Sequence, residues 1–508
     1  LLDWVKTDAS AAAGRTAMTH SNVLNLDLGV FARDATRTEI TTRDGLAENW
    51  EQPDSLTYVF HFRDGVKWHN LPPVNGRAFS AEDVKYAWTV LGKEGVHTAT
   101  MSQIDTIEVP DARTLKMTLK QPYAPFARLM ACPNYSIFAR EQWESADGLT
   151  KAVIGTGPFI MTKHDPNVEA VYVRNPEFFL KDEEGRQLPY LDAVHDVRTI
   201  ADANARTAAF LGEQIDYNRM DTPPELLDLR RQRPGIVSQV WPMFAHTGSM
   251  FKFNYRNPAL ADVRVRRALS LGIDRTNTYI DTVWFGGAAP NDYIPFHELG
   301  LDWPAPYDQM GQWYQYDPQQ AKQLLAAAGF ADGLKLDALS TSPLRLNVAW
   351  MQAAQADLKE IGVDLNVIPT EATASITAYF TKDWKDIHTQ GELTRNPTEV
   401  EGWVSDNYTS TSPKNFTGYK DARADDLSER QRRELDPQKR GAILKELNDY
   451  MRDQVPIVIL GNNFQMPTWQ GYVHDISNGT VFDISGWGCL QLMRAWMDDR
   501  APKRGVPG

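Results

Sequence analysis

The chain has 508 residues, 42% of them hydrophobic and 23% charged, which is the composition of a globular protein with two or three compact units and excludes a disordered or membrane-embedded chain. Its net charge of −13 excludes the basic footprint of a nucleic-acid-binding protein. No apolar run comes near the roughly 18 residues of a membrane-spanning helix.

The start of the chain and its cysteines bear on the cellular compartment. Leu1 is not a methionine, and no charged and apolar leader follows it, which favours a targeting segment that has been removed. The two cysteines, Cys132 and Cys489, are too few for a tetrahedral Cys-type zinc site. In an oxidising compartment they could form one disulfide, and two inert buried thiols are the alternative.

The first predicted elements are a strand and a helix. Tyr58, Phe60 and Phe62 alternate with other residues, which predicts a half-buried strand. A helix is predicted after Ser80, with an apolar stripe at i, i+3, i+4 and i+7 formed by Val84, Ala87, Trp88 and Leu91.

The second half of the chain also alternates helices with strands. Asp317-Pro318 predicts a helix start, because the carboxylate can accept the first free N–H groups, and Gly329 predicts its end. A helix from about 347 to 361 leads through Gly362 into a strand that begins at Val363. Alternation of this kind predicts open α/β sheets, whose ligands bind at the carboxyl ends of strands.

Two short segments are candidates for crossings between lobes, since each carries a proline and a tryptophan between strand-like runs. They are residues 241–244 and 466–469, and an ordinary loop is the alternative for each.

The sequence lacks the local motifs of common enzymes and metal sites. It has no P-loop, no dinucleotide fingerprint, no nucleophile elbow, and no HExxH, CxxC or EF-hand pattern. We therefore expect no enzymatic activity, no cofactor and no bound metal. The alternative is a secreted hydrolase that acts on peptides or glycans through a pair of carboxylates.

Six ordered blocks carry a family resemblance. The first reads LAENWE at 46–51, TYVFHFRDGVKWHN at 57–70 and FSAEDV at 79–84. The others are GTGPF at 155–159 with RNP at 174–176, PYLD at 189–192, LGEQID at 211–216, DVRVRRAL at 262–269 with IDR at 273–275, and the segment from YDP at 316–318 to AGF at 328–330. In this order they resemble the family 5 solute-binding proteins, the peptide, nickel and oligosaccharide receptors of ABC importers.

The resemblance implies an α/β, two-lobed periplasmic-binding-protein fold with two hinge crossings. Lobe I would take residues 1–245 and 468–508, with an extra subdomain inserted at about 46–154. Lobe II would take residues 246–467.

The resemblance also implies a function. An extracytoplasmic receptor of this kind captures a small polar ligand, a peptide or an oligosaccharide-like molecule, between its lobes by hinge closure. It then delivers the ligand to the permease of an ABC importer in the membrane. We expect a monomer without a nucleic-acid partner, free in the periplasm or anchored to the outside of the membrane. A sensing role in place of transport stays open.

The ligand class is less well specified. Peptide-binding relatives carry a stretch like GWgaDYpDP in lobe II, whose Asp pairs with the amino terminus of the peptide. The comparable stretch is placed at 390–397, where the Trp-Gly and Asp-Tyr elements are missing. Glu392 could replace the Asp, and Arg395 would suit an anionic group or be a solvated loop residue.

Eight residues are candidates for ligand binding. Phe251 and Asn254 follow the first crossing, where family members often line the ligand site. The others are Trp384, Trp403 and Trp487, which could stack on sugar faces or belong to the core, and Gln390, Glu392 and Arg395 from the stretch above.

Overall fold

The computed structural model describes residues 45–93, 98–130, 135–149, 153–165, 168–197, 199–200, 202–242, 249–301, 304–342, 345–389, 400–476 and 492–505. These residues belong to two compact units. The first unit comprises the described residues of Leu1–Arg219, Asp228–Gln239 and Pro467–Gly508. The second comprises those of Met220–Leu227 and Val240–Met466.

The longer strands of the first unit form two antiparallel sheets in the described residues. A four-stranded sheet has the order β1–β2–β4–β3, with β1 at Ala47–Glu51, β2 at Thr57–Phe62, β3 at Ile104–Asp111 and β4 at Thr114–Leu119. A three-stranded sheet contains β5 at Phe159–Asp165, β6 at Glu169–Arg174 and β7 at Ala193–Val197. Shorter strands are β8 at Tyr217–Met220 and β9 at Val237–Ser238.

The helices of this part of the chain are α1 at Ala81–Lys93, α2 at Thr98–Met101, α3 at Phe126–Met130, α4 at Arg140–Trp143, α5 at Ala203–Leu211 and α6 at Pro223–Gln232. The predicted strand and helix near the start are confirmed as β2 and α1. Alternate residues of β2 are buried, and Phe60 meets Trp88 of α1 edge-on with ring centroids 5.9 Å apart. The two elements therefore share one core.

A buried histidine joins two of the sequence blocks in this unit. The amide of Gly155 donates to His69 Nδ1 at 3.3 Å, and His69 Nε2 lies 3.0 Å from the carbonyl oxygen of Gly157. Because a carbonyl only accepts, Nε2 carries the ring proton. Burial lowers the pKa of His69 to about 4, so the imidazole is neutral at physiological pH.

The second unit is built on one mixed sheet. Its strand order is β10–β16–β11–β15–β13–β14, with β12 beside β16. The strands are β10 at Trp241–Pro242, β11 at Ser249–Phe253, β12 at Ala288–Ala289, β13 at Leu334–Ser342, β14 at Val363–Glu371, β15 at Ile387–His388 and β16 at Ile457–Trp469. Strands β13, β14 and β15 are parallel, whereas β11 runs antiparallel to β15 and β16.

Eight α-helices surround this sheet in the described ranges. They are α7 at Pro258–Ala261, α8 at Val263–Leu271, α9 at Pro318–Ala327, α10 at Arg345–Glu360, α11 at Ala372–Thr381, α12 at Glu401–Tyr408, α13 at Ala422–Arg433 and α14 at Pro437–Gln454. A π-helix spans Arg275–Val283, and 3₁₀ turns lie at Phe296–Leu299, Tyr307–Gln309 and Gln312–Tyr314. The last two strands of the chain, β17 at Val473–His474 and β18 at Trp496–Met497, pair in the first unit.

Local sequence accounts for the ends of α9. The Asp317 side chain accepts the amide of Gln320 at 2.9 Å, Pro318 occupies the first turn, and Gly329 beyond the last turn has φ +93°. The predicted helix and its two ends are confirmed. The predicted strand at Val363 is confirmed as β14.

Arg266, in the block at 262–269, has a structural role. Its guanidinium is buried and donates to the carbonyl oxygens at the ends of two helices, Leu260 and Ala261 of α7 and Gln454 and Val455 at the end of α14. A cation suits this position, since the last carbonyls of a helix carry partial negative charge. Arg266 therefore joins α7, α8 and α14.

The chain passes between the two units at 219/220, 227/228, 239/240 and 466/467. The last two points lie close to the segments proposed as crossings, of which residues 243–244 lie outside the described residues. The lobe boundaries at 245 and 468, the inserted subdomain and the hinge role stay predictions. Across the described ranges, no helix combines the length and apolarity needed to cross a membrane.

We expect replacement of Arg266 by methionine to lower the free energy of unfolding by about 3 kcal/mol or more, because it leaves several buried carbonyls without donors. Arg264→Met is the matched control. Arg264 lies two residues earlier, its side chain is 46% exposed and it pairs with Asp262, so its loss should cost less than about 1 kcal/mol. Thermal and urea unfolding would measure both, and equal losses would contradict this role for Arg266.

Candidate ligand-binding site in the second unit

The two faces of β11 have different chemistry. Successive side chains of a strand point to opposite faces, so Phe251 and Phe253 lie on one side and Lys252 on the other. Phe251 packs against Trp350 of α10 with ring centroids 5.6 Å apart, inside an apolar core. Lys252 is paired across the sheet with His388 of β15, which places both polar side chains on the opposite face.

Lys252 is a buried cation surrounded by aromatic rings. Only 2% of the residue is exposed, and Nζ donates a hydrogen bond to the Tyr379 hydroxyl of α11 at 3.1 Å. Nζ also lies 5.4 Å from the centroid of the Trp403 ring of α12. A ring face attracts a cation, and the attraction is stronger where water is excluded.

His388 is neutral in this setting. Its Nε2 lies 3.1 Å from the carbonyl oxygen of Ser375 and therefore carries the ring proton. Burial lowers its pKa to about 4, and the charge of Lys252 acts in the same direction. The face thus holds one fixed positive charge at β11 and an uncharged imidazole at β15.

Helix α12 is firmly anchored to its surroundings. Glu401 at its start is buried and pairs with Arg432 of α13 at 2.8 Å. The indole N–H of Trp403 lies 2.8 Å from both the Tyr293 carbonyl oxygen and the Tyr408 hydroxyl. These contacts hold the helix and orient the residues on its next turn.

Asp406 projects from this helix three residues after Trp403. The residue is half-buried, and none of the described residues donates a hydrogen bond to its carboxylate. Burial raises the pKa of Asp406, and the charges of Lys414 and Lys252 oppose that shift. A carboxylate in this state gains most from a cationic partner, which a ligand could supply.

Trp384 completes the aromatic part of the site. Its ring stacks on Tyr379 with centroids 6.1 Å apart and meets His388 edge-on at 5.6 Å. It is only 6% exposed, and its indole N–H has no acceptor among the described residues. The site therefore combines a cation, a carboxylate and a donor among aromatic rings.

No group of three or more His, Cys, Asp or Glu side chains in the described part of the chain is arranged to hold an ion.

Comparison with known proteins identifies the family. The model for the bacterial extracellular solute-binding proteins, family 5, matches residues 41–446, most of the chain. The chain belongs to this family. Its members are solute-binding components of transport systems that lie outside the cytoplasm and work with ABC importer permeases.

Individual family 5 relatives are distant but cover nearly the whole chain. Di/tripeptide-binding protein 2 of Pseudomonas aeruginosa (strain UCBPP-PA14) is 26% identical over 462 residues, 82% of this chain and 80% of that protein. AgaA of A. tumefaciens R10, solved with agropinic acid, has a TM-score of 0.79 at 22% identity and covers 97% of this chain and 96% of its own. DppA of Helicobacter pylori, solved with the peptide STSA, has a TM-score of 0.79 at 22% identity, with coverages of 96% and 95%.

These relatives confirm the predicted family, the α/β periplasmic-binding-protein fold and the solute-binding role. The family consists of transport receptors rather than enzymes, and the alternative of a secreted hydrolase finds no support among the relatives.

Four of the predicted ligand residues lie in the second unit, and all four are buried. Phe251 lies in the apolar core, and Asn254 donates to the carbonyl oxygens of Trp384 and Lys385 at 2.7 and 2.9 Å. Trp403 adjoins Lys252, and Trp384 adjoins His388, as described above. Direct ligand contact by these four residues stays a prediction. The remaining candidates lie outside the described residues, as do both cysteines: Gln390, Glu392, Arg395, Trp487, Cys132 and Cys489.

Sequence reasoning missed Lys252 and Asp406. Residues 402–406 match the pattern GWgaDYpDP at its Gly-Trp and Asp positions, whereas the Trp-Gly and Asp-Tyr pairs that were sought at 390–397 do not occur there either. A partial match to the pattern therefore lies about ten residues downstream. Lys252 had no such signal, because a single lysine in a short strand carries no motif.

We expect His388 to make the second unit less stable in acid. Its pKa is about 4 when folded and about 6.5 in an unfolded chain, so between these values only the unfolded state takes up the proton. Stability should fall as the pH is lowered from 6.5 towards 4, by up to about 1.4 kcal/mol per pH unit.

The measurement is urea unfolding at several pH values for the wild type and for His388→Gln. In the variant, the free energy of unfolding should depend less steeply on pH between 4 and 6.5, by close to the contribution of one proton, whatever the stability of the variant at neutral pH. The opposite contribution of Asp406 is common to both proteins and cancels in the difference. Identical slopes would show that His388 does not titrate in this way.

Proposed function

We propose that this family 5 receptor captures a small polar ligand at the Lys252–Asp406 face of its second unit. The observation that carries the proposal is the half-buried Asp406 carboxylate, to which none of the described residues donates a hydrogen bond. It lies on a helix that Glu401 and Trp403 anchor. A group that gains from a cationic partner and sits among aromatic rings suits a ligand that carries an amine.

Several features of the chain support this location. His388 ends β15, a parallel strand, and ligands of open α/β sheets bind at the carboxyl ends of such strands. In peptide-binding relatives, the Asp of the stretch that resembles residues 402–406 pairs with the amino terminus of the peptide. The amine of a peptide, or of a conjugate in which an amino acid is joined to a sugar, is a suitable partner for Asp406.

The relatives support this range of ligands. One is named a di/tripeptide-binding protein, and solved structures of two others contain agropinic acid and a peptide. We propose that the present chain acts as a monomer outside the cytoplasm and hands its ligand to an ABC importer permease. Both free and membrane-anchored forms are compatible with this role, and a sensing role would use the same site.

We expect native mass spectrometry of the purified protein to reveal a bound small molecule that denaturation releases. In thermal-shift assays, a casein hydrolysate, which supplies amino acids and short peptides, should stabilise the protein by about 3 kcal/mol where a ligand exceeds its Kd about 100-fold. Asp406→Asn should lose at least about tenfold in affinity for the stabilising component, because one charge-assisted contact is removed.

Asp364→Asn is the matched control, since the Asp364 side chain is 74% exposed on β14. It should leave the thermal shift unchanged. Stabilisation by maltodextrin alone would exclude the amine-binding role of Asp406 but retain a receptor for oligosaccharides. Release of hydrolysis products from either pool would contradict the receptor role.

A further inference from the structure

A buried network of side chains lies behind helix α12. Two nitrogens of the Arg432 guanidinium lie 2.8 Å from one oxygen of Glu401, and the Gln431 amide donates to the other oxygen at 2.5 Å. The side-chain oxygen of Gln431 accepts two hydrogen bonds from Arg440, at 3.0 and 3.1 Å. Glu401, Gln431 and Arg440 are all buried. The network therefore ties the first turn of α12 to α13 and α14.

Helix α13 holds both ends of α12. At the start, Val400 has no side-chain oxygen to cap the first amides, so the carboxylate of Glu401 supplies the negative charge that suits this end of a helix. Beyond the other end, the amide of Ser410 donates to a carboxylate oxygen of Asp425, in the first turn of α13, at 2.7 Å. Two separate contacts with one neighbour thus fasten this short helix.

Asp406 lies between these two contacts and on a different side of the helix. It follows Glu401 by five residues, and an α-helix turns about 100° per residue, so the two side chains leave the axis about 140° apart. Glu401 is directed towards α13, and Asp406 is therefore turned largely away from it. Any influence of Glu401 on a ligand at Asp406 must pass through the helix that carries both residues.

Removal of one partner of the Glu401–Arg432 ion pair disturbs the start of α12. A carboxylate–guanidinium pair that is largely withdrawn from water resists separation, because the partner that remains becomes an uncompensated charge. A binding group acts at full strength only when it is held to within about 0.5 Å of its productive position. We infer that Glu401 is a positioning residue, which holds the Asp406 carboxylate in place for a ligand amine without touching the ligand. This inference rests on the proposed function, since it concerns the same carboxylate.

Two measurements without added ligand test the inference in Glu401→Gln, which keeps the shape of the side chain and removes its charge. In hydrogen exchange followed by mass spectrometry, the amides of α12 should exchange at least about tenfold faster, because the helix opens locally, whereas those of β13 and β14 should be unchanged. In NMR spectra of protein with isotope-labelled aspartate carboxyls, Asp406 is the signal that disappears in Asp406→Asn. Its pKa is raised chiefly by burial, so it should fall towards the ordinary value once the helix loosens.

A binding measurement connects the helix to the receptor role. We would titrate each protein with casein hydrolysate and follow its tryptophan fluorescence. The half-saturating concentration should rise at least about fivefold in Glu401→Gln, because Asp406 no longer holds its position. Glu429→Gln is the matched control. Glu429 binds the same Arg432 at 3.0 Å, but its side chain is 48% exposed, and its loss should leave all three measurements unchanged.

A second variant covers the case in which Glu401→Gln fails to fold by circular dichroism. Asp425→Ala removes the acceptor at the other end of α12 and should change the amide exchange, the Asp406 signal and the binding in the same directions. Unchanged α12 exchange and an unchanged Asp406 pKa in the folded variant would overturn the inference, even if the protein as a whole were less stable to urea.

The outcomes also separate this inference from the proposed function. If Asp406→Asn weakens binding of the hydrolysate and Glu401→Gln does not, Glu401 has no positioning role and the receptor site stands. If Asp406→Asn binds the hydrolysate as well as the wild type does, the proposed site is refuted, and with it the role assigned to Glu401. The same conclusion follows if the hydrolysate does not bind the wild type.

Discussion

The alternation of side chains along β11 is the constraint on which the second unit depends. Phe251 and Phe253 enter the apolar core on one face of the sheet, and this leaves Lys252 on the other face. Pairing with β15 and β16 fixes the register on both sides of the strand. A shift by one residue would bury the ammonium among aliphatic side chains and expel two phenylalanines, so the apolar core also determines the position of the charge.

A buried charge of this kind is costly, and its surroundings reduce the cost. The hydroxyl of Tyr379 accepts one of the lysine's hydrogens, and the Trp403 ring faces the ammonium. The charge of Lys252 also favours the ionised form of Asp406 and so opposes the effect of burial on its pKa.

The anchored helix α12 gives the site its geometry. Glu401 binds Arg432 at one end of the helix, and Trp403 donates to Tyr293 and Tyr408 in its middle. Asp406, three residues after Trp403 on the helix that these contacts hold, is half-buried. Rigid presentation of this kind reduces the ordering that a ligand must impose on binding.

Local patterns predicted much of the fold. The alternation at Tyr58 to Phe62, the start of α9 at Asp317-Pro318 and its end at Gly329 depend on a few neighbouring residues, so the sequence alone contains them. The ordered blocks identified the family, because several modest matches in one order rarely arise together. Trp384 and Trp403 were selected for their residue type. The structure places Trp403 beside Lys252 and Trp384 beside His388, although the ring N–H of Trp403 is used within the protein.

Local sequence patterns did not predict which charged groups lie together in the candidate site. Lys252 and Tyr379 are 127 residues apart in the chain, and no local pattern relates them. Their contact exists because β11 lies next to β15 and α11 covers that face, which long-range packing decides. The sequence by itself determined the family, the receptor role and many of the elements, since these follow from motifs and short-range periodicity. Only the tertiary structure decided that a lysine, a neutral histidine and a half-buried carboxylate share one face, because burial and electrostatic coupling depend on neighbours in space.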